Sequence, residues 1–364
     1  MTAPNTSRTK WSASRAFNAP SPDEIEQYYS GMRAFWHPVM RVQDFPAEEP
    51  VGIELLGEQL VLARLNGRIV AMQDLCRHFQ AQLSLGEIAT RADGQQCLMC
   101  KYHGWQYDTD GQCVAIPQLL PDREIPREAK VPTYQVTERH DLIWVCLDET
   151  PTFDIPDFPE LANPAFHPGP LRVYEPWSAS APRVVMGALD DTHFPWVHEH
   201  VLGDRSVVDA PEHKVWRDGR YLMSQYSILQ PRNVTIADEH HPEAELDTVT
   251  YTNYVGVPNV IRLIKDSGDG RLYAIWLATY PIRYNHTQTF WRVARNYDLD
   301  PAHDQTYEDF EDMVRAQDKP IVESQRPWLL PPFWTQLELP LRPADLPLIE
   351  YQRWLEELDI MLTV

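Results

Sequence analysis

The chain is predicted to be an α+β protein in two parts, an all-β N-terminal unit and a C-terminal antiparallel sheet with helices at its ends. Three observations predict this. Short alternating runs separated by turn residues fill residues 51–147. Longer strand-like runs follow a proline-rich stretch, at residues 220–230, 247–256, 259–265, 271–280 and 287–297. Helical patterns cluster around residues 187–201, 304–326 and 346–361. The resulting division is residues 1–30 as a tail with a short helix, 31–150 as the first unit and 151–364 as the second.

Each element has a local cause. Residues 25–35 carry an amphipathic pattern and read as a helix. Turns at Gly57 and Asn66-Gly67 cut residues 51–71 into strands, and Asn-Gly between apolar runs is a strong hairpin signal. The turn at Ala92-Asp93-Gly94, a strand at 97–99, a turn at 108–111 and strands at 131–136 and 142–147 complete the first unit. Pro151, Pro156, Pro159, Pro164, Pro168 and Pro170 mark a linker or a segment that hugs the surface. There is no internal repeat.

Composition narrows the function. With 364 residues the chain can bury a large core, and 43% hydrophobic with 23% charged residues is ordinary for a globular protein. A net charge of −21 argues against a nucleic-acid partner, which would need a basic patch. No stretch approaches the roughly 20 apolar residues of a membrane helix, and the N-terminus lacks a secretory apolar region. Residues 1–20, basic and rich in Ser and Thr, read as a disordered tail with a faint likeness to a transit peptide. Five cysteines, an odd number, point away from a disulfide framework and towards a reducing compartment, the cytoplasm.

Two short segments, Cys76-Arg77-His78 and Cys100-Lys101-Tyr102-His103-Gly104-Trp105, each offer one sulfur and one imidazole. This is the ligand set of a 2Fe-2S cluster with mixed ligands. Cys76 and Cys100 would hold one iron, His78 and His103 the other, and imidazole in place of thiolate raises the reduction potential. Gly104 permits close backbone approach, and Trp105 can shield the cluster from water. Zinc is the rival, since two Cys and two His also suit it, and Cys97 could add a third thiolate. The β-rich setting and the lack of a following helix argue against zinc. Cys97, on the entering strand, reads as core, as do Cys113 and Cys146.

A second constellation is Asp190-Asp191-Thr192-His193-Phe194-Pro195-Trp196-Val197-His198. Two histidines and a carboxylate on one face of a metal, with open positions opposite, make a mononuclear non-haem iron site. On a regular helix, His193 and His198 would stand about 140° apart. Pro195 is predicted to break or kink the helix at Phe194 and swing both rings onto one ion. Asp190, three residues before His193, would order that imidazole. His200, His213, His240 and His241 read as solvated or loop residues. The third ligand is sought in the helical pattern around residue 310, where Phe310, Val314, Gln317 and Ile321 form one stripe, Asp318 lies at its edge, and Asp312 and Lys319 point away. Geometry favours Asp318, with Glu311 second.

At these residues the chain resembles the large (α) subunits of the Rieske non-haem iron oxygenases, over residues 30–360. Gln317-Asp318-Lys319-Pro320 with Val322-Glu323-Ser324-Gln325 resembles the segment that supplies that family's carboxylate, which selects Asp318 over Glu311. Phe35-Trp36-His37-Pro38 and Tyr351-Gln352-Arg353-Trp354-Leu355 are most similar to the subclass without a small β subunit, which includes caffeine N-demethylases and vanillate-type O-demethylases. Two departures stand out: a longer loop from His78 to Cys100, and Met186-Gly187 where many members carry asparagine. The resemblance implies a Rieske domain followed by a helix-grip catalytic domain, and a head-to-tail homotrimer. In it, Asp190 would link His78 or His103 of one subunit to His193 of the next and act in catalysis.

The expected function is that of a terminal oxygenase. It would use O2, a Rieske cluster and mononuclear Fe(II) to hydroxylate a C–H bond of an aromatic or heteroaromatic small molecule, with N- or O-demethylation where that carbon is a methyl. Electrons would come from NAD(P)H through a separate reductase or ferredoxin, since no Gly-rich dinucleotide fingerprint occurs here. An arene cis-dihydroxylating dioxygenase is the first alternative. A non-enzymatic Rieske electron carrier is the second, and it would need only the N-terminal half. The strands at 274–280 and 289–293 are rich enough in aromatics to wall a substrate pocket, although core packing is the default for any one of those residues.

Overall fold

The computed structural model describes residue 17, residues 19–235 and residues 246–360. His240 and His241 and most of the N-terminal tail therefore lie outside the described residues. Helix α1 (Pro22–Met32) starts three residues before the predicted one. Ser21 and Glu24 form a reciprocal capping box, and Pro22 sits in the first turn, where its missing N–H costs nothing.

The first part holds β1 (His37–Arg41), β2 (Val51–Leu55), β3 (Glu58–Leu65), β4 (Arg68–Gln73), β5 (Glu87–Thr90), β6 (Gln96–Met99), β7 (Gln106–Tyr107), β8 (Cys113–Ala115), β9 (Thr133–Arg139) and β10 (Leu142–Cys146). They form two antiparallel sheets, in the orders β1-β10-β9-β4-β3-β2 and β5-β6-β7-β8. A second core lies between the smaller sheet and β3–β4, where Val61, Met72, Leu98, Tyr107 and Val131 pack with the buried Cys76 and Cys100.

The second part holds β11 (His167–Pro168), β12 (Arg172–Val173), α2 (Ala181–Leu189), α3 (Phe194–Val197), β13 (Lys214–Asp218), β14 (Tyr221–Pro231), β15 (Leu246–Gly256), β16 (Val260–Asp266), β17 (Leu272–Arg283), β18 (His286–Arg295), α4 (Asp304–Ser324) and α5 (Leu346–Glu357). The strands make one antiparallel sheet in the order β11-β18-β17-β16-β15-β14-β13, with β12 also on β18. The α+β class predicted above is what the structure shows.

This sheet is covered on both faces, so its central strands are apolar on both sides. On β17, Trp276 packs edge-on against Trp144 of β10 (centroids 6.1 Å apart) and stacks on Phe158, which comes from the proline-rich segment. That segment therefore hugs the sheet. On the opposite face, Tyr273 reaches Glu311 of α4. The alternation of a strand thus gives one row of β17 to the interior between the sheets and the other row to the space beneath α4.

A polar bolt joins the two large sheets. The Asn259 side chain donates to the Trp36 carbonyl at 2.9 Å and to His37 Nδ1 at 3.0 Å, while His37 Nε2 donates to the Met32 carbonyl at 2.9 Å. Burial pushes the His37 pKa down to about 4, so the ring is neutral, as this pattern requires. Substituting Asn259→Ala leaves two buried acceptors unpaired and is expected to destabilise the protein by about 2–4 kcal/mol in denaturant unfolding, with the metal-site residues untouched.

Candidate active site

Two loops present the predicted cluster residues. The loop after β4 is closed by Cys76 N–H to the Ala81 carbonyl, and the β6–β7 loop by Cys100 N–H to the Trp105 carbonyl, each at 2.8 Å. Gly104 turns the second loop with φ +71°. The loops meet so that His78 Nδ1 and His103 Nδ1 are 3.2 Å apart. The His78 ring stacks on Trp105 at 4.7 Å, so the indole covers the imidazole. Tyr107 Oη accepts from Arg77 N–H at 3.0 Å and therefore directs its own hydrogen at Cys76 Sγ, 3.2 Å away. A donor at sulfur stabilises the reduced state of a cluster. Cys97 is turned away, its Sγ towards the Ala89 carbonyl and Gln106 Oε1.

The second constellation assembles differently from the predicted single kinked helix. Helix α2 ends at Leu189, and Asp190 is already extended (ψ 143°). Its Oδ1 accepts from Thr192 N–H and Oγ1, a turn that ends the helix before Pro195 is reached. Pro195 lies in the first turn of α3, where proline is compatible with helix. The chain break therefore falls at residues 190–193 and not at Phe194. His193 and His198 flank the short α3, with ring centroids 5.0 Å apart.

Helix α4 brings up the carboxylate. Asp318 Oδ1 is 2.9 Å from His198 Nε2 and 3.5 Å from His193 Nε2. The far nitrogens are held: His193 Nδ1 by Asp190 Oδ2 at 2.8 Å, and His198 Nδ1 by Gln317 Oε1 at 2.7 Å. Each of these donations puts the ring proton on Nδ1 and leaves a lone pair on Nε2 facing a carboxylate. Acceptors so opposed need a cation between them. Burial opposes charge on His193, but Asp190 and Asp318 outweigh it and raise its pKa to about 9, so with no metal bound a proton on Nε2 serves as the cation facing Asp318. The same imidazoles hold the Asp318 carboxyl below its ordinary value despite burial.

Among the described residues, His193, His198 and Asp318 are the trio whose ligand atoms lie within 4.8 Å of one another. Two histidines and a carboxylate are the donor set of a mononuclear iron with open positions. The Cys76, His78, Cys100 and His103 atoms do not crowd in this way. A single tetrahedral zinc would need them to, whereas two irons bridged by sulfide would not.

A cavity of about 640 Å³, its mouth included, opens beside the trio. Its apolar wall comes from Tyr251, Ile261, Leu263, Ile275, Leu277 and Phe310. Of the strand aromatics singled out above, Trp276, Tyr280 and Phe290 are core, and the cavity face of β17 offers Ile275 and Leu277. Glu311 is not in the metal trio. It is buried in the cavity wall, where it accepts from the Tyr273 hydroxyl at 3.2 Å. His213 is no solvated histidine either, since it is buried and paired with Asp191 at 2.8 Å. His200 is exposed, as predicted. Ile321 is half exposed and outside the apolar stripe, while Asp312 bonds Tyr174 and Arg172, and Lys319 bonds Glu323 and the Pro176 carbonyl. Lys265 escaped sequence reading altogether: one lysine in a strand gives no signal of burial until its neighbours are known.

Residues 35–135 match the model of the Rieske [2Fe-2S] domain, and residues 177–359 match the vanillate O-demethylase oxygenase C-terminal domain. The second match spans half of the chain. The chain belongs to the Rieske non-haem iron oxygenases. It is 33% identical over 340 residues to methylxanthine N3-demethylase NdmB of Pseudomonas putida, covering 90% of each chain. It is 32% identical over 338 residues to methylxanthine N1-demethylase NdmA of the same organism, covering 90% of this chain and 89% of NdmA. The solved structure of Pseudomonas putida CBB5 NdmA with caffeine superposes with a TM-score of 0.75 at 31% identity over 92% of both chains. As a Rieske oxygenase of this subclass, the chain uses a 2Fe-2S cluster, a mononuclear non-haem iron and O2 to oxidise a C–H bond of a small molecule, with electrons from a separate partner. The presence of the oxygenase half rules out a free-standing electron carrier.

Two outcomes follow from this geometry. A Cβ at Gly203 would stand 2.4 Å from the backbone of Phe194 and Pro195, so Gly203→Ala must displace α3. Bound mononuclear iron, read by metal analysis, is expected to fall while the visible spectrum of the cluster persists. Burial lowers the Lys265 pKa from its ordinary 10.5 to about 8. Between those values the unfolded chain holds a proton that the folded chain has released, so stability rises with pH across that window. Lys265→Met removes the cost of burying this charge and is expected to stabilise the protein by about 2–3 kcal/mol at pH 7. The gain, followed by thermal melting, should shrink as pH rises from 8 towards 10.

Proposed function

We propose that this chain is the terminal oxygenase of a multicomponent demethylase that hydroxylates an N- or O-methyl group of an aromatic or heteroaromatic molecule. The observation that carries the reading is the trio of His193, His198 and Asp318 at the wall of an apolar cavity, in a chain that also carries the paired Cys-His loops. Its relatives NdmA and NdmB, methylxanthine N-demethylases by name, support the methyl as target.

In this reading His193, His198 and Asp318 hold the mononuclear iron, and Cys76, His78, Cys100 and His103 hold the cluster. The iron supplies O2 binding and activation when bound. The rest is done by the chain. Asp190 and Gln317 fix the two imidazoles in one tautomer and orientation. The apolar wall excludes water and holds the ring so that its methyl faces the open side of the trio. The balance is R–CH3 + O2 + 2 electrons + 2 protons giving R–CH2OH + H2O, after which R–CH2OH collapses to R–H and formaldehyde. Electrons reach the chain from NAD(P)H through a reductase or ferredoxin.

Asp190 is assigned as the electron bridge between a cluster histidine of one subunit and His193 of the next, within a head-to-tail homotrimer. Phe79 and Tyr102, 67% and 66% exposed beside His78 and His103, and Trp196, 58% exposed beside His193, support such an interface. The cluster unit is assigned to residues 31–150 and the catalytic unit to 151–364. A cytoplasmic location fits five unpaired cysteines and the finding that no described helix is long and apolar enough to cross a membrane.

The deciding experiment supplies the purified protein with a generic reductase, NADH and a panel of methylated aromatics and heteroaromatics under labelled O2. Formaldehyde with one labelled oxygen is the expected product. A cis-diol carrying two labelled atoms would replace this reading with the dioxygenase. Substituting His193→Ala or Asp318→Ala is expected to remove mononuclear iron and abolish turnover while the cluster spectrum survives. Asp190→Asn should retain both metals and chemical reduction of the cluster, yet lose on the order of 100-fold in coupled turnover.

A further inference from the structure

Among the described residues the cavity holds one cation, Lys265, that makes no ion pair. Ile261, Leu263 and Lys265 alternate along β16 and all face the cavity. Lys265 stands directly across from Tyr251 on β15 and Tyr273 on β17. Its Nζ lies 5.7 Å from each of those ring centroids and 5.6 Å from that of Phe310 on α4. The residue is 3% exposed. An ammonium carries three N–H donors, and among the described residues one bond is made, to Thr235 Oγ1 at 3.3 Å.

A buried lysine normally has a counter-ion. Glu311 is the nearest acid, yet its carboxylate is engaged elsewhere, 3.2 Å from the Tyr273 hydroxyl and 3.9 Å from Arg315. It makes no ion pair with Lys265. Arg315 also lines the cavity. This end of the cavity therefore carries two cations against one anion, while Asp318 is committed to the imidazoles at the other end. Seven residues of helix separate Glu311 from Asp318, on the order of 10 Å along the axis. That spacing accommodates one aromatic ring with a substituent at each end.

We infer that Lys265 selects the substrate, its ammonium anchoring a carboxylate or similarly charged oxyanion on the aromatic ring while the opposite, methyl-bearing end faces His193, His198 and Asp318. The inference rests on the reading above only for which end is oxidised. The aromatic rings around the ammonium would tolerate it in the empty cavity through their π faces. The hydroxyls of Tyr251 and Tyr273, Glu311, Arg315 and Thr235 complete its surroundings. Burial pushes both tyrosine hydroxyls far above their ordinary pKa, so they stay neutral. The affinity for an anion should therefore fall as pH rises past about 8, where Lys265 loses its proton.

The test uses the iron-loaded, cluster-containing protein without O2 or reductase, titrated by calorimetry. The probes are 4-methoxybenzoate and 4-methoxybenzamide, alike in shape but differing by one charge, with caffeine as a neutral heterocycle. The acid is expected to bind roughly 10- to 100-fold more tightly than the amide. Lys265→Met should bring that ratio close to one, and Lys265→Arg should retain the preference. A wild-type protein that binds the amide or caffeine as tightly as the acid, or does not bind the acid, overturns the inference, as does an unchanged ratio in Lys265→Met. The wild-type comparison holds whether or not the variants fold. Formaldehyde released from a neutral compound by a protein indifferent to the acid sinks the anchor and leaves the demethylase reading intact. Tight acid binding without formaldehyde from any methylated compound does the reverse.

Discussion

Three acceptors point at one another where Asp318 meets His193 and His198. The arrangement persists because each imidazole is denied its other tautomer: Asp190 holds one Nδ1 hydrogen and Gln317 the other. Without a cation between them, the lone pairs and the carboxylate repel one another. Much of the second half of the molecule serves to keep these groups together. Asp190 ends α2 with an Asx turn, α3 spaces the two histidines, Gly203 lets the following loop run close beneath α3, and α4 lies across the sheet to deliver Gln317 and Asp318 side by side.

The sheet explains how one set of strands serves both interior and cavity. On β17 the even-numbered residues, Trp276 among them, pack towards the first part of the chain, and the odd-numbered ones face α4. Between the sheets the Trp276 ring fills the space against Trp144 and Phe158. On the other row Ile275 and Leu277 line the cavity, beside Tyr251 and Phe310 from neighbouring elements. The cluster loops stand on a separate small core, so Cys76 and Cys100 are buried by residues that take no part in the cavity.

Much of this was legible in the residues. Cys-x-His and Cys-x-x-His are local patterns, and local patterns survive folding, so the cluster loops and the Cys97 assignment could be read directly. The separation of His193 and His198 required a break, and proline was the visible cause. The actual cause was Asp190, whose side-chain turn competes with helix one step earlier and whose role as an orienting residue hid its role as a stop. Asp318 was ranked above Glu311 by a stripe argument and a resemblance, since the pairing of α4 with α3 is a long-range contact that periodicity does not report. The same limit applied to His213 and Lys265. Whether a polar residue is buried depends on the neighbouring strand, and register is invisible in one strand alone.

Gln317 and Asp318 are consecutive on α4, one gripping the outer nitrogen of His198 and the other facing its inner nitrogen. Imidazole orientation and ligand placement are therefore tied to a single helical phase. Inserting or deleting one residue upstream in α4 would rotate both groups together by about 100° and cost the protein its tautomer control and its carboxylate in one step. Length variation in this fold has to be absorbed by its loops, and this helix behaves as a ruler whose zero mark cannot drift.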